Sequence, residues 1–313
     1  MNRNKRILLM VVLLGLVVVL SACSNNSTSM YEQPIGTEGG WGWLQWIITQ
    51  IAEFTYWLST QLANQYWLGL VVVTLIVRSA GWPIYSKSNA MTMNMQQAQP
   101  ELNQIQEKYK GRTDELSQKK QQQETLEVYK KYNINPLGCL LPFLQMPIFI
   151  AMYQVVRRLP LSLGGNGEAG EVLKDYSSLN YTFLGIDLKA GVDFTVFSNE
   201  AFTFFEALGS LFPEIILAVL VGVLMFGYQK YAQKKPEYLQ NKKYETKQAS
   251  QTAQQMKYMS YFMVFMLVSI AITNNGIALY WVVGNSFQFF QTYVNRRQSY
   301  KKHLESKNVV KSI

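Results

Sequence analysis

Five apolar segments constrain the fold of this chain more than any other feature of its sequence. A helix needs ~20 residues to cross the hydrocarbon core of a bilayer, and backbone polar groups in hydrocarbon must be satisfied within the segment, which favours helices. The sequence therefore predicts an all-α polytopic membrane protein with five transmembrane helices. These predicted spans lie at about 64–84, 137–157, 212–230, 257–273 and 277–294.

The turn between the last two spans and the charges of the connecting segments predict how the chain is threaded. Asn274-Asn275-Gly276 is a turn signal that predicts an antiparallel hairpin. Residues 86–135 carry eight basic side chains and the tail from Asn295 carries six, whereas the segment 159–211 has two lysines against seven acidic residues. Because basic loops stay in the cytoplasm, we expect the N-terminus outside and the C-terminus inside.

The N-terminal residues resemble a bacterial lipoprotein signal. A basic stretch and an apolar run precede Leu20-Ser-Ala-Cys23, which predicts a signal peptide at 1–22 and lipidation at Cys23. The alternative is an uncleaved first helix with an unrelated cysteine. Residues 23–40 are rich in Ser, Asn and Gly and predict a flexible tether. Residues 41–63 place apolar side chains at helical spacing, which predicts an amphipathic helix on the outer membrane surface.

Two further segments lie outside the predicted spans. Residues 86–135 are polar with periodic apolar positions and are interrupted at Gly111-Arg-Thr, so we expect a cytoplasmic helical hairpin. The extracellular loop 158–211 begins near a glycine-rich stretch and contains no clear catalytic cluster. The sequence therefore assigns this loop no role.

Arginines interrupt two of the spans. Arg78 lies in the apolar run of the first span, where a central charge costs ~3 kcal/mol or more and usually faces a cavity or a partner. The alternative is that Arg78 snorkels to the headgroups near its helix end. Arg157 and Arg158 lie at the outer end of the second span, and we interpret them as headgroup anchors.

Other polar residues in the spans are predicted to lie near Arg78. Thr74 is one helical turn from Arg78 on the same face, and the polar residues of the fifth span recur at spacings of four, three and four. Such groups must find partners in hydrocarbon, so they form either interhelical hydrogen bonds or, with Arg78, a hydrated groove. They are Thr74, Gln145, Gln229, Trp281, Asn285, Gln288 and Thr292.

Enzymatic chemistry lacks the residues that it needs. The single histidine, His303, lies in the basic tail, which excludes a His-Glu-x-x-His metal site and a Ser-His dyad within the membrane. The chain has no nucleotide-binding Gly-x-x-x-x-Gly-Lys-Ser/Thr loop, and its spans contain no Asp. We therefore expect neither an enzyme nor a bound metal or cofactor.

Three motifs carry the most specific signal in the sequence. They are Thr74-Leu-Ile-Val-Arg78, Leu279-Tyr-Trp-Val-Val-Gly-Asn285, and Tyr129-Lys-Lys-Tyr-Asn-Ile-Asn135-Pro136-Leu-Gly138-Cys-Leu-Leu-Pro142-Phe-Leu-Gln145-Met-Pro147-Ile-Phe. These motifs resemble those of YidC-type membrane protein insertases of the Oxa superfamily. The resemblance covers about residues 41–297, and the order of elements is similar to that of the short form found in Gram-positive bacteria.

This resemblance implies a core of residues 64–297 around a hydrophilic groove that is open to cytoplasm and lipid and closed outside. It implies that Arg78 is the essential arginine of the groove and that Thr74, Gln229 and Trp281 line it. The implied partners are nascent membrane proteins, the Sec translocon, the lipid bilayer and the ribosome, the last through the hairpin and the basic tail 298–313, with no role for DNA.

Two rival functions predict other features. A small-solute transporter or channel subunit, with an anion bound at Arg78, predicts internal repeats or broken helices near the midplane, and the sequence has no convincing repeat. A passive lipoprotein scaffold leaves the aligned polar residues unexplained.

Overall fold

A computed structural model describes most of the chain. It covers residue 35 and residues 42–135, 141–166, 172–198, 204–234 and 247–311, with the side chains of some helix and strand ends left aside. The predicted signal peptide, Cys23 and most of the tether 23–40 lie outside the described residues.

The described part of the chain contains eight α-helices, and two short β-hairpins lie between the fifth and the sixth. The helices are α1 (Gly42–Gln61), α2 (Tyr66–Ala80), α3 (Trp82–Lys108), α4 (Glu115–Lys131), α5 (Leu141–Arg158), α6 (Phe204–Gln233), α7 (Lys247–Thr273) and α8 (Asn275–Lys311). The antiparallel strand pairs are β1 (Leu163–Asn166) with β2 (Val172–Asp175), and β3 (Thr182–Phe183) with β4 (Ile186–Asp187). Most of the predicted tail 298–313 continues α8 as helix.

The chain bends within the predicted span 64–84. Helix α2 ends at Ala80, and α3 begins at Trp82 at an angle of 59° to it. Pro83 cannot donate a backbone hydrogen bond and is accommodated in the first turn of a new helix. A Cβ at Gly81 would lie 2.8 Å from the Tyr85 ring, so the ring packs closely against the glycine at the bend. The first helix of the predicted hairpin therefore continues directly from the bend.

Length and hydropathy identify few of the described helices as membrane spans by themselves. The stretch Leu211–Gln233 passes the test, and the bent pair α2–α3 passes it if the two helices are counted as one span. Helix α7 contains a shorter apolar stretch, Lys257–Thr273. Helices α5 and α8 occupy predicted spans but carry glutamines and arginines that lower their mean hydropathy. The five-span arrangement stays a prediction.

A buried apolar cluster joins α1, α2, α5, α6 and α8. On α1, Leu44, Ile48 and Ala52 are buried, whereas Trp43 and Trp46 on other faces are more than half exposed. This division matches an amphipathic helix. A second, smaller cluster packs α3 against α4 and includes Ala98, Leu102, Ile105, Tyr109, Val128 and Ile134.

The loop between α5 and α6 contains β-structure that the sequence analysis did not predict. Leu184 (φ 50°) and Gly185 (φ 85°) both adopt left-handed conformations between β3 and β4. Two consecutive residues of this kind form the two-residue turn that joins tight hairpins. Because each of these strands has only two residues, alternation of apolar and polar positions is too short to detect.

The interpretation of Arg158 as a headgroup anchor is wrong. Its side chain is fully buried, and Nη1 donates hydrogen bonds to Gln154 Oε1 at 2.8 Å and to Gln45 Oε1 at 3.2 Å. Arg157 is half-buried and donates to the Tyr153 hydroxyl at 3.2 Å. Hydrogen bonding stabilises a buried guanidinium that water cannot reach, so Arg158 joins α5 to α1 and does not extend towards lipid headgroups.

Candidate functional site

Arg78 lies in the last turn of α2, immediately before the bend at Gly81. Thr74, one turn earlier, is buried and donates its hydroxyl hydrogen to the Leu70 carbonyl at 2.6 Å. A hydroxyl that already donates to a carbonyl of its own helix does not need an acceptor on a neighbouring helix. The C-terminal end of a helix carries partial negative charge, which favours a cation in the last turn. The position of Arg78 is therefore favourable for the helix.

Helix α8 supplies the neighbours of the guanidinium. Arg78 Nη1 donates a hydrogen bond to Gln288 Oε1 at 3.3 Å. A Cβ at Gly284 would lie 3.0 Å from Arg78 Nη2, so the guanidinium packs against bare backbone there. On the other side, Arg78 Cζ lies 5.8 Å from the centre of the Tyr85 ring, within the range of a cation–π contact. A polar amide, a glycine and an aromatic face thus hold the cation.

A small cavity adjoins Arg78. Its volume is about 10 Å³, which is room for about one water molecule. Apolar side chains of α5 form one wall, opposite the end of α2 and the start of α3. The lining residues are Thr74, Val77, Arg78, Tyr85, Ile148, Phe149, Met152 and Tyr280.

Arg78 has no carboxylate partner among the described residues. The ion pairs found there, such as Lys131–Glu101 at 2.6 Å, all lie in the α3–α4 hairpin. A charged side chain in an apolar setting is stabilised by an opposite charge or by water. The site therefore combines a permanent positive charge with the chemistry to bind an anionic or strongly polar group.

The other predicted site residues divide into those near Arg78 and those away from it. Gln288 contacts Arg78 directly, and Thr74 lines the same cavity. Trp281 is buried and stacks on Phe149, a cavity-lining residue, with ring centres 6.4 Å apart and an interplanar angle of 12°. Asn285 is half-buried on α8, one turn before the level of Gln288. Their roles in binding stay predictions.

Gln229 is not among the residues that line the Arg78 cavity. Its Oε1 accepts a hydrogen bond from Gln233 Nε2 at 3.2 Å, and the same amide donates to Ser260 Oγ on α7 at 3.0 Å. Gln229 thus belongs to a polar contact between α6 and α7. Gln145 lies on α5, but its side chain is outside the described residues.

Sequence reasoning missed two neighbours of Arg78 on α8. Tyr280 lines the cavity and Gly284 contacts the guanidinium, yet the predicted polar stripe followed Trp281 and Asn285. Tyr280, Gly284 and Gln288 recur every four residues, which is also a helical spacing. A search for small as well as polar residues at this spacing would have found them.

The α3–α4 hairpin carries a second set of polar contacts. Lys131 and Tyr132 both donate hydrogen bonds to Glu101 Oε1, at 2.6 and 2.7 Å. Lys108 and Tyr109 likewise both donate to Glu124 Oε1. The hydrogen bond from Lys131 holds the pKa of the Glu101 carboxyl below its ordinary value. Each helix thus ends in a Lys-Tyr pair that binds a glutamate of the other helix, which fixes their register.

The described residues contain no group of three or more His, Cys, Asp or Glu side chains that could hold a metal ion. Together, the apolar helical core, the cation beside a small cavity and the charged helical hairpin are the features of an all-helical protein of a membrane-embedded class.

The chain belongs to the family described as the 60Kd inner membrane protein, which matches residues 57–303. It is 30% identical to the membrane protein insertase YidC of Oceanobacillus iheyensis over 309 residues, which cover 96% of this chain and 100% of the relative. It is 30% identical to YidC 2 of Bacillus anthracis over 284 residues, covering 90% and 91%. It is 27% identical to the insertase MisCA of Bacillus subtilis over 309 residues, covering 96% and 95%. The resemblance inferred from the three motifs is confirmed.

Proposed function

We propose that this chain is a membrane protein insertase that guides hydrophobic segments of nascent proteins into the lipid bilayer, and that Arg78 receives the polar leader that must cross first. The names of its relatives support insertion over the small-solute transporter alternative. The observation that carries the role of Arg78 is a guanidinium between α2 and α8 with no ion-pair partner among the described residues.

The physical difficulty in insertion is the passage of a polar leader through about 30 Å of hydrocarbon. A hydrated groove open to the cytoplasm shortens this path. Arg78 offers a leader carboxylate a charge-assisted hydrogen bond, which is stronger at reduced dielectric than the ~1 kcal/mol of an ion pair in water. The Gln288 amide is a neutral partner at 3.3 Å and is readily displaced by a carboxylate.

The free energy for insertion comes from the client. Its apolar helix leaves the groove and gains roughly 25 cal/mol per Å² of surface removed from water. Membrane potential adds about 2.3 kcal/mol per charge per 100 mV when an acidic leader moves outwards. Insertion therefore needs no nucleotide.

The topology belongs to the same proposal. Five spans, an outer N-terminus lipidated at Cys23 and a cytoplasmic C-terminus follow from the alternating loop charges and the lipoprotein-like signal. The groove would open to the cytoplasm where α3 leaves α2 at the bend. This is because the hairpin α3–α4 carries many basic residues, and basic segments stay on the cytoplasmic side. Thr74, Gln145, Trp281, Asn285 and Gln288 are its proposed lining, and Gln229 is proposed to act at the α6–α7 contact near its mouth.

Partners on the cytoplasmic side follow from charge. The hairpin would receive the emerging client, either alone or beside the Sec translocon. The basic residues that follow Asn295 suit contact with ribosomal RNA or with anionic lipid headgroups. The extended α8 would carry these residues away from the membrane surface as one helix.

Insertion in reconstituted vesicles tests the role of Arg78. Arg78→Ala is expected to abolish insertion of a client with an acidic leader, because the groove loses its charge. Arg78→Lys is expected to retain much of the activity, because the charge remains. Arg157→Ala, which removes a half-buried guanidinium on α5 away from the Arg78 cavity, is the matched control and should insert normally. Unchanged insertion by Arg78→Ala would refute the proposed role.

A further inference from the structure

The C-terminal end of α6 is held by an arginine of α8. Helix α6 ends at Gln233, so the carbonyl of Ala232 is one of the last four carbonyls, which have no partner within the helix. Arg296 Nη2 donates a hydrogen bond to this carbonyl at 2.6 Å. The C-terminal end of a helix carries partial negative charge, which a nearby cation stabilises. Arg296 therefore caps α6, although it belongs to a different helix.

The ring of Tyr231 extends this contact between the two helices. Arg296 Cζ lies 4.8 Å from the centre of the ring, within the range of a cation–π contact. The Tyr231 ring also packs against the Phe289 ring, with the ring centres 5.1 Å apart. Because Phe289 and Arg296 are seven residues apart, they share one face of α8. That face contacts Tyr231 through an aromatic ring and a cation. These three residues and Ala232 are called the Arg296 clamp below.

The next arginine of α8 makes a different contact. Arg297 is exposed, and its Cζ lies 4.9 Å from the centre of the Tyr293 ring, one turn earlier on α8 itself. Arg296 is half-buried, and its contacts are with α6. By sequence alone, both arginines belong to the basic residues that follow Asn295. The structure divides them, because the guanidinium of Arg296 is already bound to another helix.

The Arg296 clamp lies apart from the Arg78 site. Arg296 follows Gln288 by eight residues on α8, which is about 12 Å along the helix axis. The residues that line the Arg78 cavity come from α2, α3, α5 and α8. Within the described part of the chain, α6 supplies none of them. Loss of the clamp would therefore leave the neighbours of the Arg78 guanidinium in place.

Helix α6 carries an exposed apolar face that leads towards the clamp. Five apolar residues recur along it at spacings of four, three, four and three, which places them on one side of the helix. They are Phe212, Ile216, Val219, Val223 and Phe226, with exposed fractions from 39% to 61%. An exposed apolar face of this kind suits contact with hydrocarbon or with another apolar helix. Tyr231 follows the last of them by five positions, so the clamp fixes this face relative to α8.

We infer that Arg296 is a positioning residue, which fixes α6 to α8 so that a client helix released from the Arg78 site meets the apolar face of α6. This inference rests on the proposed function, because it concerns the step that follows capture of the leader. Without the guanidinium, the Ala232 carbonyl loses its partner and the end of α6 opens more readily. The apolar face of α6 is then no longer held at one distance from α8. Capture of the leader continues, whereas transfer of the client helix into lipid slows.

Crosslinking to the leader and insertion in reconstituted vesicles test the two steps separately. Arg296→Ala removes both contacts of the guanidinium with α6. Arg296→Lys retains a cation that can donate to the same carbonyl and lie over the Tyr231 ring. Tyr231→Leu removes the ring and leaves the arginine. Lys230→Ala is the matched control, because Lys230 is an exposed base at the same end of α6 that takes no part in the clamp.

A photoreactive side chain at position 288 reports capture of an acidic leader, and protection of the client from protease reports insertion. We expect Arg296→Ala to crosslink the leader as the wild type does but to insert the client at least about tenfold more slowly, which corresponds to about 1.4 kcal/mol of added barrier. Tyr231→Leu should crosslink normally and insert at least about threefold more slowly, since it loses only one of the two contacts. Arg296→Lys should insert within about twofold of the wild-type rate, and Lys230→Ala should match the wild type.

Wild-type insertion by folded Arg296→Ala would overturn the inference. A loss of crosslinking in parallel with the loss of insertion would also overturn it, because Arg296 would then act on the Arg78 site or on the fold as a whole. If Arg296→Ala does not fold, Tyr231→Leu decides, and its insertion at the wild-type rate would overturn the inference. Failure of the proposed function would appear instead as normal insertion by Arg78→Ala in the same vesicles.

Discussion

Helices α1 and α2 approach each other closely at Gly69, which makes this residue a stringent test of their packing. A Cβ at Gly69 would lie 2.0 Å from Ser59 Oγ and 2.9 Å from the Thr55 carbonyl oxygen. The Ser59 hydroxyl cannot simply turn aside at no cost, because it donates to that same carbonyl at 2.7 Å. Gly69→Ala therefore breaks a buried hydrogen bond and also pushes against the backbone of α1.

Gly69→Ala is expected to lower the free energy of unfolding moderately, although alanine has the higher helix propensity. Overpacking of a well-packed interior costs typically about 1–3 kcal/mol, whereas Gly to Ala in a helix interior gains about 1 kcal/mol. Loss of the Ser59 hydrogen bond adds about 1 kcal/mol, so the net destabilisation of Gly69→Ala should be about 1–3 kcal/mol. At roughly 2–4 °C per kcal/mol for a domain of this size, the melting temperature should fall by several degrees.

Thermal unfolding in detergent micelles measures this effect. Gly227→Ala on α6 is the control, because a Cβ there meets open space among the described residues, and its melting temperature should rise slightly. Adding Ser59→Gly to Gly69→Ala should restore most of the lost stability by removing the clashing side chain. If Gly69→Ala is as stable as Gly227→Ala, the described contact of α1 with α2 is wrong.

Two further predictions concern the α3–α4 hairpin. Because the pKa of Glu101 and of Glu124 is lowered in the folded hairpin, their stabilising effect is present above the ordinary glutamate pKa and is lost as the pH falls through the lowered values. The melting temperature of the wild type should therefore fall in acid, and the double variant Glu101→Gln, Glu124→Gln should show a smaller fall. Gly111 adopts a left-handed conformation with φ 80°, so Gly111→Ala should lower hairpin stability by about 1–2 kcal/mol, seen as faster amide hydrogen exchange in α4.

Features governed by local sequence were accessible from the sequence. Apolar runs indicated where helices form, and the break at Gly111 follows from the conformational freedom of glycine. Arg78 and Thr74 share a helix face by their spacing, and the polar spacing of α8 indicated Gln288. The contact between Arg78 and Gln288 joins residues 210 positions apart in the sequence. Each residue could nevertheless be identified separately, because a polar group in an apolar helix needs a partner.

Features that depend on distant partners were not accessible in the same way. Burial of Arg158 depends on Gln45, 113 residues away on α1. The bend at Gly81 depends on the Tyr85 ring as well as on Pro83. The segment 176–193 between α5 and α6 is held to the α1–α2 and α7–α8 junctions mainly by backbone hydrogen bonds, and these leave no residue pattern. Gln229 was assigned by position in a span, but it accepts a hydrogen bond from Gln233 on its own helix, and the contact of Gln233 with Ser260 on α7 depends on how α6 packs.

The central claim is that the leader of a client contacts the Arg78 site during insertion. A photoreactive side chain at Gln288 should crosslink to a stalled nascent chain through its acidic leader. The same probe at Ile76 is the control, because Ile76 is two residues from Arg78 on α2 and its side chain is 45% exposed on another face.

The account predicts leader crosslinks from position 288 that disappear when the acidic residue of the leader is replaced by lysine, with few leader crosslinks from position 76. Equal leader crosslinking from both positions, or crosslinking from position 288 that does not depend on the charge of the leader, would contradict it.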